Sequence, residues 1–324
     1  MTEPLTSPPA PERSEIAAVV IGRDEGARLT ACLDALAGEV GRIVYVDSGS
    51  SDDSVARAWA RGAEVVRLDL SRPFTAARAR NAGFAALGDA PVYVQFLDGD
   101  CALRPGWIAR ARAFLDATPG AAVACGRRRE RHPEASVYNR FCDWEWDTPI
   151  GRTRACGGDA LMRAEAFAAA GGFRPGLIAG EEPELCLRFR AAGWEIWRLD
   201  AEMCWHDAAM TRFAQFWKRA RRAGYAFAEG AALHGAPPER HWVAETRRAL
   251  LWGLALPLAT LAMLPASLLL LLAWPAQVLR LARKGGFGRL AWERALLVTI
   301  GKIPEALGVL EYHLRPRAKL IEYK

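Results

Sequence analysis

Apolar residues in the first third of the chain fall into short runs separated by segments of helical period. Ile16–Ile21 is fully apolar and breaks at Gly22; Arg42–Asp47 is a second run, ending on a carboxylate; Ala63–Leu68 is a third. Val92-Tyr93-Val94-Gln95-Phe96-Leu97 is a fourth, closing on Asp98-Gly99-Asp100. Runs of about six residues rich in β-branched and aromatic side chains predict buried strands. Leu29, Cys32, Leu33 and Leu36 recur at helical spacing, a further helix is predicted from the Ser48–Ser54 turn to about Arg61, and another over Ala76–Leu87. Strand–helix alternation with short Gly/Ser/Asp connections predicts an α/β fold with an open, largely parallel sheet. Ligands in such sheets sit over the carboxyl ends of the strands. Asp24, Asp47, Asp98 and Asp100 all fall at those ends.

The pattern is less regular afterwards. Arg127–Arg154 has no clean period, and Cys156-Gly157-Gly158-Asp159 reads as a turn entering an apolar segment. A helix over 164–170 is closed by Gly171-Gly172-Phe173. Gly180-Glu181-Glu182-Pro183-Glu184-Leu185 opens a helix to Ala192, and Trp194–Leu199 reads as a strand followed by Trp205-His206. Acids in a first helical turn also favour the helix dipole, so simple capping is the plain alternative for Glu181 and Glu182. Phe213–Gly230 is predicted to be a helix interleaving aromatic and basic residues, a pattern that suits a membrane interface better than nucleic acid here.

The run from Ala249 to Leu279 holds no charged residue. A span needs about 20 apolar residues, so this run is long enough to enter a bilayer, as one kinked helix or as a re-entrant hairpin centred on Pro265. Arg247 and Arg248 precede it and Arg280, Arg283 and Lys284 follow, which predicts that both ends face the cytoplasm. The organisation expected is a disordered leader over 1–14, a catalytic domain over 15–232, a linker over 233–248, a hydrophobic membrane segment over 249–279 and a basic amphipathic tail over 280–324. The leader lacks the apolar core of a signal peptide.

Composition sharpens two points. Of a formal charge of +6, all is accounted for by residues 249–324, which hold ten Lys/Arg and four Asp/Glu. The excess therefore belongs to the tail and points to an anionic membrane surface, with no nucleic-acid partner. Seven cysteines without C-x-x-C or finger spacing fit reduced thiols rather than a disulfide framework.

The candidate chemistry is an acid-Gly-acid triplet at a strand end. Asp98 and Asp100 can share a hard divalent cation, Mn²⁺ or Mg²⁺, that also meets phosphate oxygens; a plain Asp-Gly turn is the alternative. Asp24 and Asp47 can accept hydrogen bonds from base and ribose donors, and Arg78 or Arg80 can pair with phosphate. Trp144 and Trp146 suit either sugar stacking or core packing.

Taken in order, these motifs resemble family 2 glycosyltransferases over about Ile16 to Gly230. Arg23-Asp24-Glu25 is similar to the family's opening, with Asp24 where Asn is usual. Val46-Asp47-Ser48-Gly49-Ser50-Ser51-Asp52 resembles Val-Asp-Asp-Gly-Ser-x-Asp, with Ser48 for the second Asp. Arg80-Asn81-Ala82-Gly83 resembles Arg-Asn-x-Gly, and Asp98-Gly99-Asp100 the metal triplet. Gly180-Glu181-Glu182-Pro183-Glu184-Leu185 resembles Gly-Glu-Asp-x-Glu-Leu, with Glu182 where the base Asp stands. The resemblance implies a GT-A-type open mixed sheet flanked by helices and an inverting transfer from a nucleotide-sugar donor, with UDP expected. It implies Glu182 as the base with Glu181 in reserve, nucleotide contacts that include Arg80, Asn81 and Asp98, and His206 as a third metal ligand. A structural His206 beside Trp205 is the competing reading. Location suggests a lipid-linked or surface-glycan acceptor and membrane lipids as partners, at the cytoplasmic face of the inner membrane. A sugar nucleotidyltransferase would open with a Gly-rich phosphate loop, for which Gly22–Gly26 is a poor match. A binding scaffold without activity would have no need of both acidic pairs.

Overall fold

The computed structural model describes residues 15–88, 91–262 and 268–314. The expected leader, Pro265 and the last ten residues lie outside them. The first half alternates as predicted: β1 (Ile16–Gly22), α1 (Ala27–Leu36), β2 (Arg42–Asp47), α2 (Ser54–Trp59), β3 (Glu64–Arg67), α3 (Ala76–Ala86) and β4 (Tyr93–Asp98). There follow β5 (Cys101–Leu103), α4 (Trp107–Ala117), β6 (Ala121–Glu130), α5 (Val137–Glu145), β7 (Gly151–Thr153), β8 (Ala160–Arg163), α6 (Ala164–Ala169), α7 (Glu181–Ala191) and β9 (Glu195–His206).

One sheet runs β3-β2-β1-β4-β8-β6-β9-β5, with β7 also beside β9. Its first four strands are parallel; β8 is antiparallel to β4 and β6, and β6 runs parallel to β9. The sheet is therefore mixed, not largely parallel, because β8 reverses direction at its centre. Register brings the motifs to one edge. Gly22 pairs with Asp47, Ile21 with Asp98, and His206 with both Cys101 and Glu130. The core is fully buried at Val19, Tyr45, Phe96 and Leu97, as expected of strands covered on both faces. Gly83 on α3 lets that helix lie against the sheet, since a Cβ there would sit 2.4 Å from Val19. Arg127–Arg154, without period in the sequence, contains the end of β6, α5 and β7.

A helical layer completes the chain: α8 (Phe213–His234), α9 (Val243–Leu250), a π-helical turn (Leu251–Ala255), α10 (Leu256–Ala262), α11 (Leu268–Leu271), α12 (Ala273–Lys284), α13 (Arg289–Ile300) and α14 (Lys302–Leu314). The stretch expected as a linker is thus the end of α8, a short connection and most of α9. The α14 helix packs closely on α8 and on the π-helical turn. A Cβ on Gly224 would lie 1.9 Å from the Glu305 carbonyl oxygen, on Gly308 2.0 Å from that of Arg221, and on Gly253 1.9 Å from that of Lys302. The described part of the uncharged run holds the π-helical turn, α10, α11 and the start of α12, and among the described residues no helix is long and apolar enough to cross a membrane.

The same layer grips the segment leading into α7. Arg222 donates to the Ile178 carbonyl (2.8 Å), and the Trp242 ring occupies the space a Cβ on Gly180 would need. Glu229 is half-buried, and burial pushes its carboxyl up to about 7, against the Ile178 backbone N–H and Arg174, which both favour the charge. The fold thus prefers Glu229 neutral, a contribution present below the ordinary carboxylate value of 4.5 and lost as pH rises through about 7. Glu229→Gln is expected to equal the parent in acid and to exceed it in stability above neutrality, measured as urea midpoints across that range.

Candidate active site

The strand ends open into a cleft of about 290 Å³ whose walls include Arg23, Glu25, Arg80, Asp98, Asp100, Glu181 and His206. Arg128 and Trp146 close one side, and Arg219 and Arg222 reach in from α8. Arg80 sits at the centre. Its guanidinium is 2.6 Å from Asp98 Oδ1 and 2.6 Å from Glu181 Oε1, and it lies 5.6 Å from the centre of the Phe173 ring. Burial works against its charge, but Asp98, Glu181 and Asp159 outweigh that and raise its pKa. One buried cation thereby fixes the metal triplet and the α7 acidic pair relative to each other.

Asp100 and His206 meet beyond Asp98, with Nε2 3.5 Å from Asp100 Oδ1. The ring packs on Trp146 at 4.6 Å between centres, and its Nδ1 faces Glu130 Oε2 at 3.9 Å. Carboxylate oxygens with one imidazole are a donor set that suits Mn²⁺ or Mg²⁺. The Cys101 sulfur lies near Asp100 and His206 as well, but it donates to Asp159 Oδ2 at 3.1 Å. The residues present fit a divalent cation held by Asp98, Asp100 and His206.

Asp159, in the sequence only the end of a glycine turn, joins the site. It is fully buried, accepts the Asp98 backbone N–H (3.0 Å) and pairs with Arg128 (2.7 Å). The glycines before it serve the same junction: a Cβ on Gly158 would lie 2.9 Å from the Arg80 guanidinium. A Gly-Gly-Asp at a strand start was the available signal.

The acidic pair of α7 divides. Glu181 lines the cleft, whereas Glu182 is buried beside the Cys156–Gly158 turn, outside the cleft wall. Its Oε1 accepts from the Cys156 backbone N–H (2.5 Å) and from the Cys186 thiol (3.0 Å). Burial raises the Glu182 pKa; those hydrogen bonds oppose the shift and Glu181 adds to it.

Several expected nucleotide contacts are engaged by the protein itself. Asp24, at φ 54°, accepts from the Ser51 backbone N–H (2.7 Å) and hydroxyl (3.1 Å). Asp47 accepts from the Gly49 and Ser50 backbone N–H groups, so both carboxylates shape the turn after β2. Arg78 donates to the carbonyls of Asp69, Arg72 and Pro73, away from the cleft. Asn81 exchanges two hydrogen bonds with the Phe173 backbone (2.7 and 2.9 Å) and locks the turn after α6. Arg78 and Asn81 thus spend their polar groups on backbone that their own helix must hold. Trp144 packs under Arg294, 4.5 Å from its ring centre, while Trp146 faces the cleft.

Residues 18–170 match the model for Glycosyl transferase family 2. The match covers just under half of the chain, and together with the acidic edge of the mixed sheet it supports a glycosyltransferase. No curated protein matches the chain. Mannosyltransferase PcManGT from Pyrobaculum calidifontis, solved with GDP-Man and Mn²⁺, superposes with a TM-score of 0.61 at 18% identity, over 98% of this chain and 92% of that one. Glucosyl-3-phosphoglycerate synthase from Mycobacterium tuberculosis, solved with phosphoglyceric acid, gives 0.52 at 19% identity, over 69% and 81%. The same synthase with Mn²⁺, UDP-Glc and phosphoglyceric acid gives 0.52 at 19%, over 69% and 80%. At these identities the likeness is one of fold.

Proposed function

We propose that this glycosyltransferase moves a sugar from a nucleotide donor, UDP-linked, to a hydroxyl of a lipid-linked or surface-glycan acceptor at the cytoplasmic face of the inner membrane, with inversion at the anomeric carbon. The observation that carries the reading is the single cleft in which Arg80 joins Asp98 to Glu181 beside Asp100 and His206. A divalent cation on Asp98, Asp100 and His206, when bound, supplies Lewis-acid neutralisation of the leaving diphosphate. Arg80 and the Asp159 carboxylate hold Asp98 in place, one through its side chain and the other through its backbone N–H. A carboxylate of the α7 pair, Glu182 by its place in the motif with Glu181 on the cleft wall in reserve, takes the proton from the acceptor hydroxyl as the hydroxyl oxygen bonds to the anomeric carbon and the bond to diphosphate breaks with its electron pair. Glu181 is paired with Arg80 at 2.6 Å, whereas burial raises the Glu182 pKa, as suits a base. PcManGT and the phosphoglycerate synthase were solved with nucleotide sugars and Mn²⁺, which supports the donor and the metal.

Asp100→Asn is expected to leave the fold intact and to weaken Mn²⁺-dependent UDP binding, followed by calorimetry with and without the cation. Unchanged Mn²⁺-dependent binding in that variant would count against the metal assignment.

A further inference from the structure

We infer that the face formed by α10 to α13 seats in the hydrocarbon of one membrane leaflet without crossing it, and that the groove between α12 and α13 takes lipid chains. This narrows the membrane-borne acceptor proposed above and rests on it for its purpose, though not for its test. Three observations carry it. First, the uncharged run turns its leucines outward: Leu251, Leu258, Leu261, Leu271, Leu272 and Leu279 are all exposed. So many exposed large apolar side chains within one uncharged run mark an interaction site on a protein in water. Second, α12 and α13 enclose a groove of about 630 Å³ lined by Trp274, Val278, Leu279, Trp292, Leu296 and Ile300, with Thr299 the one polar residue on its wall. Third, exposed basic residues border that surface where α12 gives way to α13: Arg280, Arg283, Lys284 and Arg289. Apolar surface bordered by cations complements a leaflet whose headgroups are anionic.

The dimensions favour lying in the leaflet over spanning it. A helix of 12 residues, the length of α12 and of α13, is about 18 Å long, against about 30 Å of hydrocarbon. The opposite face of α13 is bound to the catalytic domain. Glu293 pairs with Arg140 of α5 (2.8 Å), and Leu297 joins a cluster with Phe141 and Phe216. The α5 helix in turn supplies Cys142 to the cleft, with Trp146 just past its end. The α5 helix and its cluster with Phe216 therefore stand between the lipid-facing helix and the cleft, which sets the active site close to the headgroups.

The test uses the full chain and vesicles of phosphatidylcholine, alone or with phosphatidylglycerol. Flotation should be strong on the anionic vesicles and should persist in part at high salt. Each of Arg283→Gln and Lys284→Gln should lower partitioning by about fivefold. Leu296→Asp with Ile300→Asp should abolish the salt-resistant fraction while Mn²⁺-dependent UDP binding stays at the parent level. Lipids brominated near the headgroup should quench tryptophan more than lipids brominated near the chain ends, and Trp274→Phe with Trp292→Phe should remove most of that quenching. Stronger quenching from the chain ends would overturn the shallow seating. So would a chain that floats with neither kind of vesicle and forms a dimer that Leu296→Asp dissociates, since a second copy would then cover the face. Flotation without any UDP binding would instead sink the transferase reading and leave this one standing.

Discussion

Glu182→Gln is expected to lower turnover by roughly 10²-fold or more, the usual scale for losing a general base, with Mn²⁺-dependent UDP binding near the parent value. Gln can still accept the Cys156 backbone N–H that Glu182 Oε1 accepts at 2.5 Å, so the turn over the site should hold. What is lost is the group that takes the proton. A base acts when deprotonated, and burial raises the Glu182 pKa. The parent's kcat/KM should therefore rise with pH through that raised value, and Glu182→Gln should lack this acid limb. Glu181→Gln should behave differently. It breaks the 2.6 Å pair with Arg80 and should weaken nucleotide binding together with turnover. If Glu182→Gln turns over normally and Glu181→Gln does not, the roles are exchanged, because Glu181 is the member of the pair on the cleft wall.

What could be read in advance follows from how local each signal is. The parallel strands β1, β2 and β4 carry their burial in unbroken apolar runs, so the sequence alone places Asp47 and Asp98 at strand ends. The reversal at β8 depends on pairing between residues far apart, Phe96 with Ala160 and Ala124 with Leu161, and no short-range pattern encodes it. The same holds for the site. Asp98 and Asp100 are separated only by Gly99 and legible there, but the partner of Asp98 through its backbone is Asp159, delivered by β8. Arg80 and Arg78 sit two apart on α3 and are equally plausible phosphate ligands in a string of letters. Helical geometry separates them: Arg80 enters the buried edge of the sheet, and Arg78 turns to the carbonyls of 69–73. The uncharged run shows its apolar character in the sequence, yet the close approach of its Gly253 to the Lys302 carbonyl of α14 depends on a residue far along the chain.

Arg80→Leu should be the most damaging single substitution for stability, lowering the unfolding free energy by about 3–5 kcal/mol, the range for breaking a buried ion pair from one side. Arg80 is only 2% exposed and answers two carboxylates at 2.6 Å each. Removing it leaves the Asp98 and Glu181 carboxylates facing each other with no cation between them. Their mutual repulsion raises the pKa of both, so the deficit should shrink as pH falls and one of them takes a proton. Arg80→Lys should recover part of the stability and little of the activity, because one ammonium cannot fork between two carboxylates as a planar guanidinium does. Urea unfolding of the three proteins at acid and neutral pH measures this directly. A loss in Arg80→Leu that stays constant from neutral to acid pH would mean that lost packing against Phe173, not the two stranded carboxylates, is what the fold misses.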